Sequence, residues 1–183
     1  MATIYPDSID LCRSFSEKKV LNCLKNFSDK FHVIQNLPWI SRYVMDLTKQ
    51  FSPEGEADFI VFHEEYGMLL LEVKGGNITY NNHAYFTNGD KLKQDPHIQS
   101  RSSAHYLRNF FKDISNKILI GYAVIFPDSR KPPFEDFRKE ITFDIYDLEN
   151  LEIRILETFE YWKNNYKKKK YMFQLLGIIL ILS

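Results

Sequence analysis

Two carboxylates and a lysine in the first half of the chain have the spacing of a metal site. Asp58, Glu72 and Lys74 form the pattern D-x13-E-x-K within the stretch ADFIVFHEEYGMLLLEVKGG. Because side chains alternate along a strand, Glu72 and Lys74 project from the same face of the predicted strand MLLLEVK. Carboxylate oxygens are ligands that Mg²⁺ prefers, so the pattern predicts a divalent-metal site with a positive charge beside it. The competing interpretation is an ordinary solvated charge pair at a strand end, with Asp58 as a turn residue.

These side chains depend on a β-hairpin for their position. Two apolar runs flank a short polar turn with one glycine, which is typical of two antiparallel strands. If the loop covers residues 63–67, Ile60 pairs with Leu70 and Asp58 lies opposite Glu72. Opposed side chains of an antiparallel pair share a face, with Cβ atoms roughly 5 Å apart. Two like charges at that separation repel, so the arrangement favours a cation between them.

Composition and charge limit the class of protein. The chain has 183 residues, of which 44% are hydrophobic and 26% charged, so we expect a single globular domain over residues 1–183. Its formal net charge is zero, which argues against a protein that holds nucleic acid by bulk electrostatics alone. Cys12 and Cys23 form no metal-binding pattern, and the N-terminal segment is too polar for a signal peptide. We therefore expect no zinc site and a reducing, cytoplasmic location.

The ordered set of motifs around Asp58 resembles the nuclease-related domain (NERD) family, a branch of the PD-(D/E)XK nuclease superfamily. The resemblance runs from about residue 14 to about residue 127. It rests on the Asp58 strand, the Gly67 turn, the Glu72–Gly76 block, the hairpin at Ile78–Tyr85, and Asp95-Pro96 with Gln99. Ala57 stands where the superfamily name expects proline, at a position that is known to vary.

The resemblance implies a fold and an activity. The fold is α/β, with a restriction-endonuclease-like core in which a central mixed β-sheet is flanked by helices. The activity is metal-dependent hydrolysis of phosphodiester bonds in DNA, with Mg²⁺ or Mn²⁺ as the cofactor and duplex DNA as the default substrate. Family members often carry helicase or other domains, so a helicase or another DNA-processing protein is the expected partner. No membrane association is expected.

The resemblance also assigns roles to individual residues. Asp58, Glu72 and the carbonyl of Val73 are expected to hold the metal ion. Lys74 is expected to stabilise the developing charge or to orient the attacking water. Gln99 is expected to contact the substrate or Lys74.

Glu17 lies on the inward stripe of the first predicted helix, Ser14 to about Lys30, where a carboxylate needs a reason. One reason is structural, since Ser14-Phe-Ser-Glu17 fits the S-x-x-E capping box. The other follows from the resemblance, which places an acidic residue near the start of this helix, facing the metal, where it would hold a water or a second ion. Both interpretations stay open at this point.

The rest of the chain alternates between predicted strands and helices. Strands are predicted over Phe31–Trp39, Ile118–Phe126 and Ile141–Tyr146, and a helix or irregular excursion over Ile40–Phe51. A second helix is predicted from Asp95 to about Ile114, with Ile98, Leu107, Phe110, Phe111 and Ile114 buried. A last helix is predicted over Asn150–Tyr166. Arg101, Arg108 and Lys112 give the second helix positive charge for contacts with nucleic acid.

The apolar run Phe173–Leu182 is too short for a bilayer, which needs about 20 residues, so it is a buried element, an oligomer contact or the point where a longer chain stops.

Two other functions are compatible with the sequence. The first is a catalytically weak nucleic-acid-binding or recruitment module that works with a helicase or another partner, and Ala57 and the zero net charge leave room for it. The second is an assembly unit that docks through its apolar C-terminal run. The intact set of Asp58, Glu72 and Lys74 favours the nuclease.

Overall fold

The structure is a computed structural model, and it describes residues 1–36, 57–111 and 118–166. Within these ranges the strands and helices are, in chain order, β1 (Thr3–Tyr5), α1 (Phe15–Lys25), β2 (Phe31–Gln35), β3 (Phe59–His63), β4 (Gly67–Val73), β5 (Ile78–Asn81), β6 (Ala84–Thr87), β7 (Asp90–Lys91), α2 (Pro96–Phe110), β8 (Ile120–Phe126), β9 (Thr142–Asp144) and α3 (Leu151–Tyr166). The predictions for residues 40–51 and for the apolar run 173–182 lie outside the described residues.

A mixed six-stranded sheet forms the centre of the described fold, with strand order β1-β2-β3-β4-β8-β9. Strand β3 runs antiparallel to both of its neighbours, β2 and β4, whereas β4, β8 and β9 are parallel. Strands β3, β4 and β8 are buried at every position, as expected of strands covered on both faces. The predicted α/β architecture, a central mixed sheet flanked by helices, is confirmed.

The hairpin of β3 and β4 has the predicted register. Ile60 pairs with Leu70, and His63 pairs with Gly67, so only residues 64–66 form the turn. Gly67 has φ +122°, and a Cβ there would overlap with the carbonyl oxygen of Leu119. A glycine is therefore required where the chain turns into β4.

Helix α1 begins where the sequence predicts and ends earlier. Ser14 is the N-cap, and its side chain accepts from the Glu17 amide at 3.1 Å. The helix ends at Lys25 and not near Lys30, because the chain turns at residues 26–30 to enter β2. The turn closes with a hydrogen bond from the Phe31 amide to the Ser28 carbonyl.

Helix α2 begins at Pro96, with Asp95 as its N-cap. His97 is buried, and its Nε2 lies 2.7 Å from the hydroxyl of Thr142 on β9. The predicted burial of Ile98 is wrong, since this side chain is 45% exposed. The polar residues His97 and Ser100 occupy the inward side of this turn instead.

Two of the other four α2 side chains predicted to be buried are described by the structure. Leu107 and Phe111 are buried as predicted. The side chain of Phe110 and the whole of Ile114 lie outside what the structure describes.

Helix α3 packs against the edge of β8. The indole of Trp162 donates to the carbonyl of Tyr122 at 2.9 Å, and its ring occupies the space beside Gly121, where a Cβ would overlap with it. The helix predicted over Asn150–Tyr166 and the strand predicted over Ile118–Phe126 are thus confirmed within one residue or two at their ends. No helix among the described residues is long and apolar enough to cross a bilayer.

Candidate active site

Asp58 is held at the carboxyl end of β4 by the main chain of Val73. Its Oδ2 accepts a hydrogen bond from the Val73 amide at 2.7 Å, in place of the next bond of the β3–β4 ladder. The amide and carbonyl of one strand residue point to the same side of the strand. The Val73 carbonyl therefore points towards the Asp58 side, and continuing the observed register by one residue brings Asp58 opposite Glu72.

Glu72 is a charged residue in the interior of the sheet, 1% exposed. Its Oε1 accepts from the Lys74 ammonium at 2.6 Å, and its buried Oε2 has no hydrogen-bond partner among the described residues. Burial in the first place, and the charge of Asp58 in the second, raise the pKa of Glu72 from its ordinary value of 4.5 to about 8, although Lys74 opposes the rise. A buried carboxylate oxygen without a partner is costly, so this position favours a proton or a cation.

Lys74 leaves the end of β4 on the same side as Glu72. Its amide donates to the carbonyl of Ile125 on β8 at 3.0 Å, which anchors the main chain, and its side chain is 25% exposed. The ammonium group therefore reaches the buried carboxylate from a position that solvent and a ligand can approach.

Glu17 uses both carboxylate oxygens at the start of α1. Oε2 accepts from the Arg13 amide at 2.8 Å and Oε1 from the Ser14 hydroxyl at 2.9 Å. This is a variant of the predicted capping box, since the amide that it binds is that of Arg13 and not that of the N-cap residue. The negative charge of Glu17 also contributes to the raised pKa of Glu72, so the helix start lies near the carboxylate pair.

Gln99 belongs to the part of α2 that lies against β4. It is half-buried, and the hydroxyl of the following Ser100 donates to the Leu70 carbonyl at 3.4 Å. Arg101 is exposed, and Lys112 lies outside the described residues.

Arg108 lies at the opposite end of the sheet from the carboxylates. Its guanidinium donates to the carbonyl of Ile120, which pairs with Met68 at the start of β4. Val73 pairs with Ile125, five residues farther along β8, a separation of roughly 16 Å along the strand. The structure thus brings Asp58, Glu72, Val73 and Lys74 together and places Arg108 away from them.

Asp128 is a further residue beside the site, which sequence reasoning missed. Its carboxylate accepts from the Ser16 hydroxyl, from Lys19 Nζ at 2.6 Å and from the Gly76 amide at 3.1 Å. Burial opposes its ionisation, but the hydrogen bonds from Lys19, Ser16 and Gly76 outweigh it and hold the pKa of Asp128 below its ordinary range. The sequence shows only that Asp128 is a polar residue just after an apolar strand. That pattern indicates a residue beside the site only when β8 is known to lie next to β4.

The donor set fits a hard divalent cation better than a soft one. Among the described residues no three His, Cys, Asp or Glu side chains group closely enough to hold an ion by themselves. Two carboxylates and a main-chain carbonyl suit Mg²⁺, which keeps several of its waters. The observation that supports a cation here is the buried Oε2 of Glu72, for which the described part of the chain supplies no hydrogen-bond partner.

Comparisons with known proteins add one finding. The family model described as nuclease-related domain matches residues 13–127, more than half of the chain. The match includes Asp58, Glu72, Lys74 and Gln99, and its bounds agree with the resemblance seen in the sequence. No curated protein and no solved structure matches the chain.

Proposed function

Since the chain belongs to the nuclease-related domain family, we propose that it is a metal-dependent nuclease that hydrolyses phosphodiester bonds in DNA. The reaction would take place at the carboxyl end of β4, where Asp58, Glu72 and Lys74 meet. The observation that carries the proposal is the buried Oε2 of Glu72, which has no partner among the described residues and lies beside a second carboxylate.

Asp58, Glu72 and the Val73 carbonyl are the groups that would hold the ion. The hydrogen bond from the Val73 amide fixes the Asp58 carboxylate at the strand end, so that little side-chain entropy is lost when a ligand binds. Glu72 projects from a fully buried strand, and its position is fixed by packing. A bound Mg²⁺ or Mn²⁺ would supply Lewis acidity towards a phosphate oxygen and would lower the pKa of a bound water.

Lys74 would have two roles in a nuclease. In the absence of a ligand its ammonium donates a hydrogen bond to Oε1 of Glu72 at 2.6 Å. With DNA present, the same partly exposed group would stabilise negative charge that develops on the phosphate, or would orient the attacking water. Charge stabilisation of this kind is stronger in a partly buried site than in water.

We also propose a substrate, the residues that contact it and a partner protein. Duplex DNA is the proposed substrate, Gln99 the proposed contact with substrate or with Lys74, and Arg101 and Lys112 the proposed contacts with the DNA backbone. Arg108 is a weaker candidate for such a contact, because its guanidinium is used by the carbonyl of Ile120. We propose a helicase or another DNA-processing protein as partner, and the free Cys12 and Cys23 agree with a cytoplasmic location.

The test is cleavage of supercoiled plasmid and of linear duplex DNA with Mg²⁺ or Mn²⁺, beside EDTA. Asp58→Asn and Glu72→Gln should abolish cutting and weaken metal binding in calorimetry. Glu65→Gln is the matched control, because Glu65 lies in the turn of the same hairpin and pairs with Lys30 at 3.0 Å; it should cut like the wild type. Absence of cutting by folded, metal-bound wild type would overturn the proposal.

The second candidate is a nucleic-acid-binding or recruitment module with little catalysis. One observation favours it: both carboxylate oxygens of Glu17 accept hydrogen bonds at the helix start, and no third carboxylate among the described residues groups with Asp58 and Glu72 to hold an ion. Alanine replacement of Asp58 separates the candidates, because a binding module should keep its affinity for DNA and a nuclease should lose its activity.

A further inference from the structure

The carboxylate of Asp128 is the point where three segments of the chain meet. It accepts from Ser16 and Lys19 on α1 and from Gly76, which follows β4, whereas Asp128 itself follows β8. These side-chain bonds are additional to the strand ladder, so they fix how the segments lie relative to one another. The ion pair with Lys19 also neutralises Asp128, so that the carboxylate adds little negative charge near Asp58 and Glu72.

Lys74 lies between two such attachments. Its own amide donates to the Ile125 carbonyl of β8 at 3.0 Å, and two residues later the Gly76 amide donates to Asp128 at 3.1 Å. Gly75 between them has no room for a side chain, because a Cβ would overlap with a hydroxyl of α1. The main chain around the lysine is thus held at Lys74 by Ile125 of β8 and at Gly76 by Asp128, which follows β8.

We propose that Asp128 is a positioning residue that fixes the turn after β4 and thereby aims Lys74 at Glu72. Its hydrogen bonds go to Ser16, Lys19 and Gly76, so it acts through the main chain and not on the substrate. The catalytic consequence rests on the proposed nuclease function, whereas the ordering of the turn does not. A residue that serves stability alone would lower the melting temperature without a selective effect on the turn or on turnover.

The experiment compares Asp128→Ala with the wild type in two ways. In metal-free protein, the Gly76 amide should exchange with solvent about tenfold faster or more, because its acceptor is gone, while amides in the middle of β8 keep their protection. In the cleavage assay, kcat should fall about 100-fold, as expected when a reacting group is misplaced by about 1 Å. Metal affinity should fall by less than about tenfold, since roughly tenfold is the loss expected when a contact that orients a metal ligand is removed.

Asp147→Ala is the matched control. Asp147 also accepts from three donors, namely the Asp144 amide at 3.0 Å, Lys131 Nζ at 3.1 Å and Arg154 Nε at 3.0 Å. Its side chain is 16% exposed, against 24% for Asp128, and none of these partners belongs to α1 or to the turn after β4. It should lose stability but keep both Gly76 protection and kcat.

Two results would overturn the inference: unchanged exchange of the Gly76 amide in Asp128→Ala, or a loss of kcat no larger than that of Asp147→Ala. If Asp128→Ala does not fold, the kcat of Asp128→Asn against that of Asp147→Asn decides, since the amide keeps the shape but offers a single acceptor oxygen to the three donors that Asp128 binds. If the wild type cuts no DNA, the proposed function is wrong, and the exchange measurement by itself decides whether Asp128 orders the turn.

Discussion

Replacing Glu72 by glutamine should stabilise the metal-free protein at alkaline pH and leave its stability unchanged at acid pH. The folded chain holds the pKa of Glu72 at about 8, mainly because the side chain is buried, against an ordinary value of 4.5 that we assign to the unfolded chain. Because the pKa is raised on folding, the folded state binds the proton more tightly. The wild type therefore loses stability as the pH rises from about 4.5 to about 8, and the loss stays constant above that range.

The size of the effect follows from the difference between the two pKa values. Each pH unit between them is worth about 1.4 kcal/mol, so the free energy of unfolding of the wild type falls by an amount on the order of 5 kcal/mol. Glutamine has no charge to bury, so the variant lacks this loss. Other carboxylates, such as Asp95 and Asp128 with their lowered pKa values, are common to both proteins and cancel in the difference.

The assay is urea unfolding in EDTA, followed by circular dichroism, at intervals from pH 5 to pH 9. The unfolding free energy of Glu72→Gln minus that of the wild type should start near zero and rise until about pH 8. Glu65→Gln removes the same charge from an exposed pair, where the effect should be small and vary little with pH. Added Mg²⁺ should raise the stability of the wild type and not that of Glu72→Gln. A difference between Glu72→Gln and the wild type that stays flat from pH 5 to pH 9 would refute the reasoning.

Three further substitutions test separate parts of the structure. Lys74→Ala should keep metal binding in calorimetry but reduce cleavage by about 10²-fold or more; unchanged cleavage would end the catalytic role of this lysine. Glu17→Ala should cost about 1 kcal/mol in urea unfolding, as for loss of a helix cap, with cleavage kept, whereas loss of cleavage at unchanged stability would favour a role at the metal. Gly121→Ala should cost about 1–3 kcal/mol in thermal unfolding, because the new methyl group overlaps with Trp162; an unchanged melting temperature would show that α3 does not pack there.

The candidate site was predictable where the signal was local. Alternation along two neighbouring strands and one glycine turn determine the pairing of Ile60 with Leu70, and this register brings Asp58 towards Glu72. Both strands are close in sequence, so no knowledge of the remaining fold was needed. The helix start at Ser14 was predictable for the same reason, because a cap is a contact within one turn.

Features that depend on distant segments were not predictable. Ile98 looked like a core residue by its spacing, but the inward position at the start of α2 belongs to His97, which bonds to Thr142 more than 40 residues later. The role of Asp128 depends on β8 lying beside β4, and no local pattern indicates that pairing. Nor does the sequence show that Oε2 of Glu72 is buried without a partner among the described residues, since burial is a property of the assembled sheet.

The parallel pairing of β4 with β8 also determines when the site is completed during synthesis. The pairing of β3 with β4, which brings Asp58 towards Glu72, joins segments that are close in sequence and that have both left the ribosome well before β8. The attachments on either side of Lys74 must wait for Ile125 and Asp128, the latter 52 residues after Gly76. At about 5–20 residues per second this interval lasts roughly 3–10 seconds. The segment with both carboxylates therefore leaves the ribosome seconds before the residues that hold its lysine in place, and the proposed activity would appear only when β8 has joined the sheet.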